Sequence, residues 1–231
     1  AIMDADIFIS LSHFKGHELT GFGGCLKNIG MGCGSRAGKM EQHNSGKPSV
    51  HTESCVGCQV CSKNCAHGAI SFPQKKAVID HNLCVGCGRC LGVCNFDAIY
   101  NENASAVKEL NMKMAEYSKA VVNGRDSFHI NLVMDISPYC DCHPENDVPI
   151  LPDIGMFASF DPVALDQACA DACNAQSPMP GSLLDEHLHD HSLCDHHDHF
   201  TNTTPESEWQ TCLAHAQKIG LGSREYELIQ I

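Results

Sequence analysis

Apolar and polar residues alternate near the start of the chain, where Ile7, Ile9 and Leu11 are interleaved with Phe8 and Ser10, and this period of two predicts a strand. Residues 19–30 read as a Gly-rich helix or turn, followed by a loop over 31–40. Val107, Leu110, Met114, Tyr117 and Val121 then keep helical spacing, with Gly124 as the stop. The period returns to two at Phe128, Ile130, Leu132, Met134 and Ile136, which predicts a second strand over 128–136. Asp161-Pro162 reads as the N-cap and first-turn proline of a helix running to about Asn174. A last helix is expected over 206–219, stopped by Gly220, and Tyr226, Leu228, Ile229 and Ile231 read as a closing strand. Strand and helix alternate, so the fold class expected is α/β.

One segment breaks this rhythm. Cys55-Val-Gly-Cys58-Gln-Val-Cys61-Ser-Lys-Asn-Cys65 recurs 29 residues later as Cys84-Val-Gly-Cys87-Gly-Arg-Cys90-Leu-Gly-Val-Cys94, each copy followed by Ala-Ile. Three thiolates separated by two residues each wrap one corner of a cubane, and in two-cluster ferredoxins the fourth Cys reaches the other cluster. The spacing therefore assigns Cys55, Cys58, Cys61 and Cys94 to one [4Fe–4S] cluster and Cys84, Cys87, Cys90 and Cys65 to a second. Zinc motifs usually hold their Cys pairs a dozen or more residues apart, which makes a pair of four-cysteine zinc sites the weaker reading. The proline that commonly follows the fourth Cys is Ala66 in one copy and Asn95 in the other, which leaves the ligands intact. Patterned sequence flanks the repeat on both sides. It is read as a small bacterial-type two-cluster module, 50–104, inserted into a discontinuous α/β host domain formed by 1–49 and 105–231.

Eight further cysteines lie outside the repeat. Cys169 and Cys173, four apart on the 161–174 helix, and Cys212, near Trp209 and Leu213, read as small core hydrophobes. Cys140-Asp141-Cys142-His143 differs because it follows the second strand, at the carboxyl end where open α/β sheets build sites. His13 and His17 follow the first strand and Cys33 lies in the next loop. Cys140, Cys142, Cys33, His13 and His17 thus form a candidate third metal or cluster site, with Asp147 or Asp153 as further donors, against the plainer reading of a polar loop capping the sheet. Gly32 to Lys39 resembles a phosphate loop but fails its spacing, since Cys33 stands where the first Gly belongs and Met40 follows Lys39. Six His between 187 and 199, interleaved with Asp190, Cys194, Asp195 and Asp198, read as an acidic surface loop able to take up metal adventitiously.

Composition narrows the partners. With 15 Lys and Arg against 28 Asp and Glu, the net charge of −13 argues against nucleic acid or an anionic lipid surface. Sixteen Cys in 231 residues with no export signal in AIMDADIFIS suggest metal chemistry in the cytosol rather than disulfides, and no apolar run suggests membrane insertion. The first residue is not Met and enters a strand almost at once, which is read as a processed form or a fragment.

The segments SHFKGHELTGFGGCLKNIGMGCGSRAGKMEQH, SPYCDCHPENDVPILPDIGMFASFDPVALDQA and AQKIGLGSREYEL, together with the inserted double motif, resemble the ferredoxin-containing family catalogued as domain of unknown function three-six-two, found in anaerobes. The resemblance covers nearly all of the chain. It implies that the inserted module, the Lys15 segment, the Cys-Asp-Cys segment and the Asp161-Pro162 helix start are typical parts, and that a further α/β portion usually precedes the residues equivalent to 1–10. It supplies no substrate. The expectation is an electron-transfer protein with two [4Fe–4S] clusters serving a redox partner protein in an anaerobic cytosol. The alternative is an oxidoreductase whose third metal or cluster centre the module feeds. A metal-storage protein using the His tract is weaker, and the oligomeric state stays open, a homodimer included.

Overall fold

In chain order the computed structural model runs β1 (Ile7–His13), β2 (Lys15–His17), β3 (Gly21–Gly23), α1 (Cys25–Gly32), α2 (Arg36–His43), β4 (Ser49–Val50), α3 (Val60–Lys63), β5 (Ile70–Ser71), β6 (Val78–Ile79), α4 (Arg89–Gly92), β7 (Ile99–Tyr100), α5 (Ala106–Val122), β8 (Asp126–Val133), β9 (Gly155–Ser159), α6 (Pro162–Asn174), α7 (Leu183–His189), α8 (His199–Thr203) and α9 (Gln210–Lys218). It describes residues 2–43, 47–84, 86, 89–96, 98–100, 106–141, 147–189 and 198–231. The fold is mixed α/β. The chain divides into two compact units, one formed by 1–33 and 111–231 and the other by 34–110, so the second is wider than the 50–104 read from the motif. Among the described residues, no helix is long and apolar enough to cross a membrane.

The first unit is built on a three-stranded sheet in the order β1-β8-β9, with β1 parallel to β8 and β9 antiparallel to it. The predicted alternation is present in β1 and β8, but β8 stops at Val133 because Asp135 takes a left-handed φ of 49° that no strand accommodates. The face turned to the helices is the polar one. Ser10, Ser12, His129 and Asn131 are buried, while Ile7, Ile9 and Leu11 point outward and are exposed. The register puts Ile9 beside Phe128, and Leu11, Ile130 and Ala158 in one row, so the outward face is apolar across all three strands.

Two helices account for the polar interior. Asp166 on α6 is fully buried and accepts from the first two N–H groups of α1, Cys25 at 2.7 Å and Leu26 at 2.8 Å, and from Asn131 Nδ2 at 2.8 Å. A carboxylate at a helix N-terminus satisfies otherwise orphaned donors. His129 stands between the hydroxyls of Ser10, 2.9 Å away, and Ser127, 3.1 Å away, and Asn28 Nδ2 donates to Ser12 Oγ at 3.0 Å. Gly30 lets α1 cross α5 closely, since a Cβ there would lie 2.4 Å from the Met114 carbonyl oxygen. On α6, the expected Asp161 cap accepts from Val163 and Ala164, and Cys169 and Cys173 are buried in the core as the spacing predicts.

Burial pushes the Asp166 carboxyl up to about 6 and the His129 imidazole down to about 4, with opposite effects on stability. The Asp166 contribution is fully present below its ordinary value of 3.8 and is lost as pH rises to about 6, by roughly 3 kcal/mol. The His129 contribution is lost as pH falls from its ordinary 6.5 to about 4, because the unfolded chain takes up the proton first. The two therefore offset each other between pH 4 and 6. Asp166→Asn removes one of them, so the stability of wild type relative to this variant should rise by up to about 3 kcal/mol from pH 6 to pH 4, as read from urea unfolding. A pH-independent difference would contradict this assignment.

An aromatic cluster of Phe14, Phe22, Phe200 and Trp209 closes the other end of the core, with ring centroids 4.7 to 5.8 Å apart. Asp198 fastens it, capping α8 through the N–H groups of Phe200 and Thr201 and accepting from Trp209 Nε1 at 2.9 Å and Gln210 Nε2 at 2.6 Å. Asp198→Ala should cost about 2–4 kcal/mol, one cap plus a buried indole N–H without an acceptor. Trp209 is the only tryptophan, so its fluorescence in urea reports the loss directly.

Several short elements escape the hydrophobic pattern: the β2–β3 hairpin, α2, β9 and α8. The last helix begins at Gln210 rather than 206. The expected closing strand does not form; residues 221–231 follow α6 through Ser223 N–H to Asp161, Arg224 Nε to Gln167 and Tyr226 OH to Asp171.

A candidate cysteine-lined centre in a pseudo-twofold unit

The 29-residue repeat is reproduced in the backbone of the second unit. α3 and α4 occupy equivalent positions, as do β4 and β6, and β5 and β7. Pairing is crosswise: β4 pairs with β7, and β5 with β6, both antiparallel. The hydrogen bonds repeat as well. His51 N–H donates to the Ala98 carbonyl at 2.7 Å and Asp80 N–H to that of Ala69 at 2.8 Å, while Cys55 and Cys84 N–H groups donate to the His51 and Asp80 carbonyls. The glycine between the first two cysteines of each copy is left-handed, φ 71° at Gly57 and 75° at Gly86. At Gly57 a Cβ would also meet the Lys75 carbonyl oxygen at 2.2 Å, so only glycine fits.

This crosswise build has a chemical consequence. Cys55, Cys58 and Cys61 from the first copy and Cys94 from the second line one small pocket, whose other walls include Phe72, Ala77, Val93, Phe96, Ala98 and Ile99. Burial, aided by Cys58 and Cys55 nearby, raises the Cys61 thiol. Backbone N–H groups point at sulfur: Ala77 to Cys55 at 3.3 Å, Ala69 to Cys65 at 3.4 Å and Gly86 to Cys84 at 3.4 Å. Of the second predicted set, Cys90 is buried in the same apolar cluster as Cys55 and Cys61, Cys65 and Cys84 are half-buried, and Cys87 lies outside the described residues. Among the thirteen described cysteines there is no disulfide.

The residues proposed for a third centre are only partly brought together. His13 ends β1, and its Nδ1 lies 2.9 Å from Asp141 Oδ2. Lys15 Nζ lies 3.1 Å from the same oxygen, and these two partners hold the Asp141 carboxyl below its ordinary value against the effect of burial. Lys27 Nζ donates to Cys140 Sγ at 2.8 Å, and Gly23 leaves room for both lysine stems. His17 stands elsewhere, buried, with Nδ1 accepting from the Leu19 and Thr20 N–H groups, and Cys33 caps the end of α1 against the core. Asp153 accepts from Asp135 N–H. Cys142 and His143 lie outside the described residues, as do 190–197 of the His tract. His187, His189 and His199 bond the carbonyls of Asn202, Asp185 and Gln176. Among the described residues, no three His, Cys, Asp or Glu side chains are grouped to hold a single metal ion.

The sequence pattern passed over Lys27, Asp141 and Asp166. Asp166 did carry a signal: at helical spacing it shares a face with Val163, Cys169, Ala170 and Cys173.

A model of the family described as Domain of unknown function (DUF362) matches residues 1–171. The chain belongs to this family. The DUF362 match takes in both cysteine motifs, the Lys15 and Cys140 segments and the start of α6. No curated protein and no solved structure matches the chain.

Proposed function

We propose that this DUF362 protein is a one-electron carrier of an anaerobic cytosol, holding two [4Fe–4S] clusters in a ferredoxin-like insertion within its α/β host. The observation that carries the reading is the cavity lined by three cysteines of one motif and the last cysteine of the other. That is the donor set which bacterial two-cluster ferredoxins use. Cys55, Cys58, Cys61 and Cys94 would hold one cluster, and Cys84, Cys87, Cys90 and Cys65 its twofold mate. A cubane supplies reversible one-electron storage when bound.

The chain's own residues do the rest. Apolar walls at Phe72, Val93 and Ile99 limit water, and the N–H groups of Ala77, Ala69 and Gly86 donate to sulfur and so favour the more negative, reduced state. The half-buried and exposed cysteines keep an electron path short to a docked partner. With a net charge of −13, the partner's docking face is basic. The test is anaerobic reduction with dithionite followed by EPR and by transfer to a one-electron acceptor. The reading expects an iron–sulfur signal that disappears as the acceptor is reduced; protein with no EPR-active reduced state and no electrons to give would overturn it.

One observation favours a second reading, an oxidoreductase with its own centre in the host. His13, Lys15, Lys27, Cys140 and Asp141 gather at the carboxyl ends of the parallel strands β1 and β8. Tightly held metal beyond the two clusters, lost on Cys140→Ser, would move the assignment to that reading.

A further inference from the structure

Outside the repeat, one buried thiol sits against an amine. Cys140 Sγ lies 2.8 Å from Lys27 Nζ, whereas the N–H groups that donate to Cys55, Cys65, Cys84 and Cys169 stand 3.3 to 3.4 Å from sulfur. The pair is assembled by the fold, not by neighbourhood in the chain. Lys27 comes from the first turn of α1 and Cys140, 3% exposed, from the turn after β8, 113 residues on. Gly23 lets the lysine stem pass, since a Cβ there would lie 3.1 Å from Lys27 Cδ. The carboxylate beside the thiol, Asp141, is engaged by His13 and Lys15.

We infer that Lys27 and Cys140 form a covalent N–O–S bridge when the protein meets dioxygen, and that the bridge is a latch between α1 and the turn after β8. A thiol oxidised to the sulfenic level is captured by a nucleophile within reach, and here a nitrogen is in place before the oxidant arrives. The step balances. The O–O bond of dioxygen breaks; one oxygen becomes bonded to Lys27 Nζ and to Cys140 Sγ, and the other leaves as water with the two hydrogens that the pair gives up. Sulfur and nitrogen each lose two electrons and dioxygen gains four. Thiols run the step backwards, returning the amine, the thiol and a second water. Joining residues 113 apart restricts the unfolded chain, so the bridge makes the first unit more resistant to urea. The inference does not rest on the electron-carrier reading, because Lys27 and Cys140 belong to the first compact unit and the cluster cysteines to the second.

Peptide mapping of the full chain tests it, with anaerobically purified protein divided into one half kept anaerobic and one half exposed to air. The expected result is a linked pair of peptides, one with Lys27 and one with Cys140, in the air-exposed half alone. Its mass exceeds the sum of the two reduced peptides by about 14 Da, one oxygen gained and two hydrogens lost, and dithiothreitol separates the pair. Lys27→Arg keeps a positive charge at the sulfur but presents a delocalised guanidinium, and should lose the linked pair as Cys140→Ser does. In urea, the Trp209 transition of air-exposed wild type should move to higher concentration, a shift absent in both variants. Wild type alone decides the matter if a variant fails to fold. Air-exposed Cys140 recovered as an unmodified thiol, as a sulfinic acid or in a disulfide with Cys142 would overturn the inference. So would a linked pair that leaves the urea transition where it was, since such a bridge fastens nothing.

Discussion

Cys94→Ser is expected to remove about four of about eight irons per chain, and to remove the same EPR component that Cys55→Ser removes. The reason is the crosswise pairing of β4 with β7 and β5 with β6, which carries the end of the second motif to the first three cysteines. A reading of the motifs as independent four-cysteine loops makes the opposite forecast, with Cys94→Ser acting on the component lost in Cys84→Ser. Trp209 belongs to the other compact unit, so its urea unfolding should stay within about 1 kcal/mol of wild type in all three variants. Iron per chain, EPR and fluorescence on the same samples decide the matter. Equal loss of both components in every variant, or loss of the Trp209 transition, would contradict two separable units.

The largest expected effect on stability is that of Asp166→Ala. Its carboxylate accepts three hydrogen bonds at full burial, two from the N-terminus of α1 and one from Asn131 on β8. Alanine leaves those donors without an acceptor where water does not reach, at about 1–3 kcal/mol each when partly relaxed. A total of about 3–6 kcal/mol is a large share of the 5–15 kcal/mol typical of a folded domain. Asp166→Asn keeps one acceptor oxygen and should fall between alanine and wild type near pH 7. Urea unfolding at pH 7 measures the series; an alanine variant within about 1 kcal/mol of wild type would show that the knot between α1, β8 and α6 is not what holds this core.

The cysteine repeat was legible because its signal is local. In each copy the cysteine spacing and the left-handed glycine fall within one eleven-residue window, and the fold repeats the window 29 residues on. The strands were legible as a period, which does not say which face turns inward. Alternation at Ile7, Ile9 and Leu11 tells that one face is apolar, but Ser10, Ser12, His129 and Asn131 are drawn inward by Asp166 and by hydroxyl–imidazole pairs that form only after β1 and β8 meet. Long-range hydrogen bonds of this kind leave no periodic trace. The hairpin of β2 and β3 was too short and too rich in glycine for a pattern. In β9, Met156 and Phe157 are apolar neighbours on opposite faces, which hides the alternation.

The third-site residues show the same limit. Chain position at the strand ends brought His13 and Cys140 to one region, yet the partners they meet there are Asp141 and Lys27, and the turn at 17–20 takes His17 away. Placement at a sheet's carboxyl end is a statement about backbone, whereas ligation depends on which neighbours reach a side chain first.

Iron and acid-labile sulfide per chain, measured on anaerobically purified protein, test the central proposal most directly. Two cubanes of four irons each predict about eight irons and eight sulfides. Zinc in place of iron, or iron without sulfide, would contradict it.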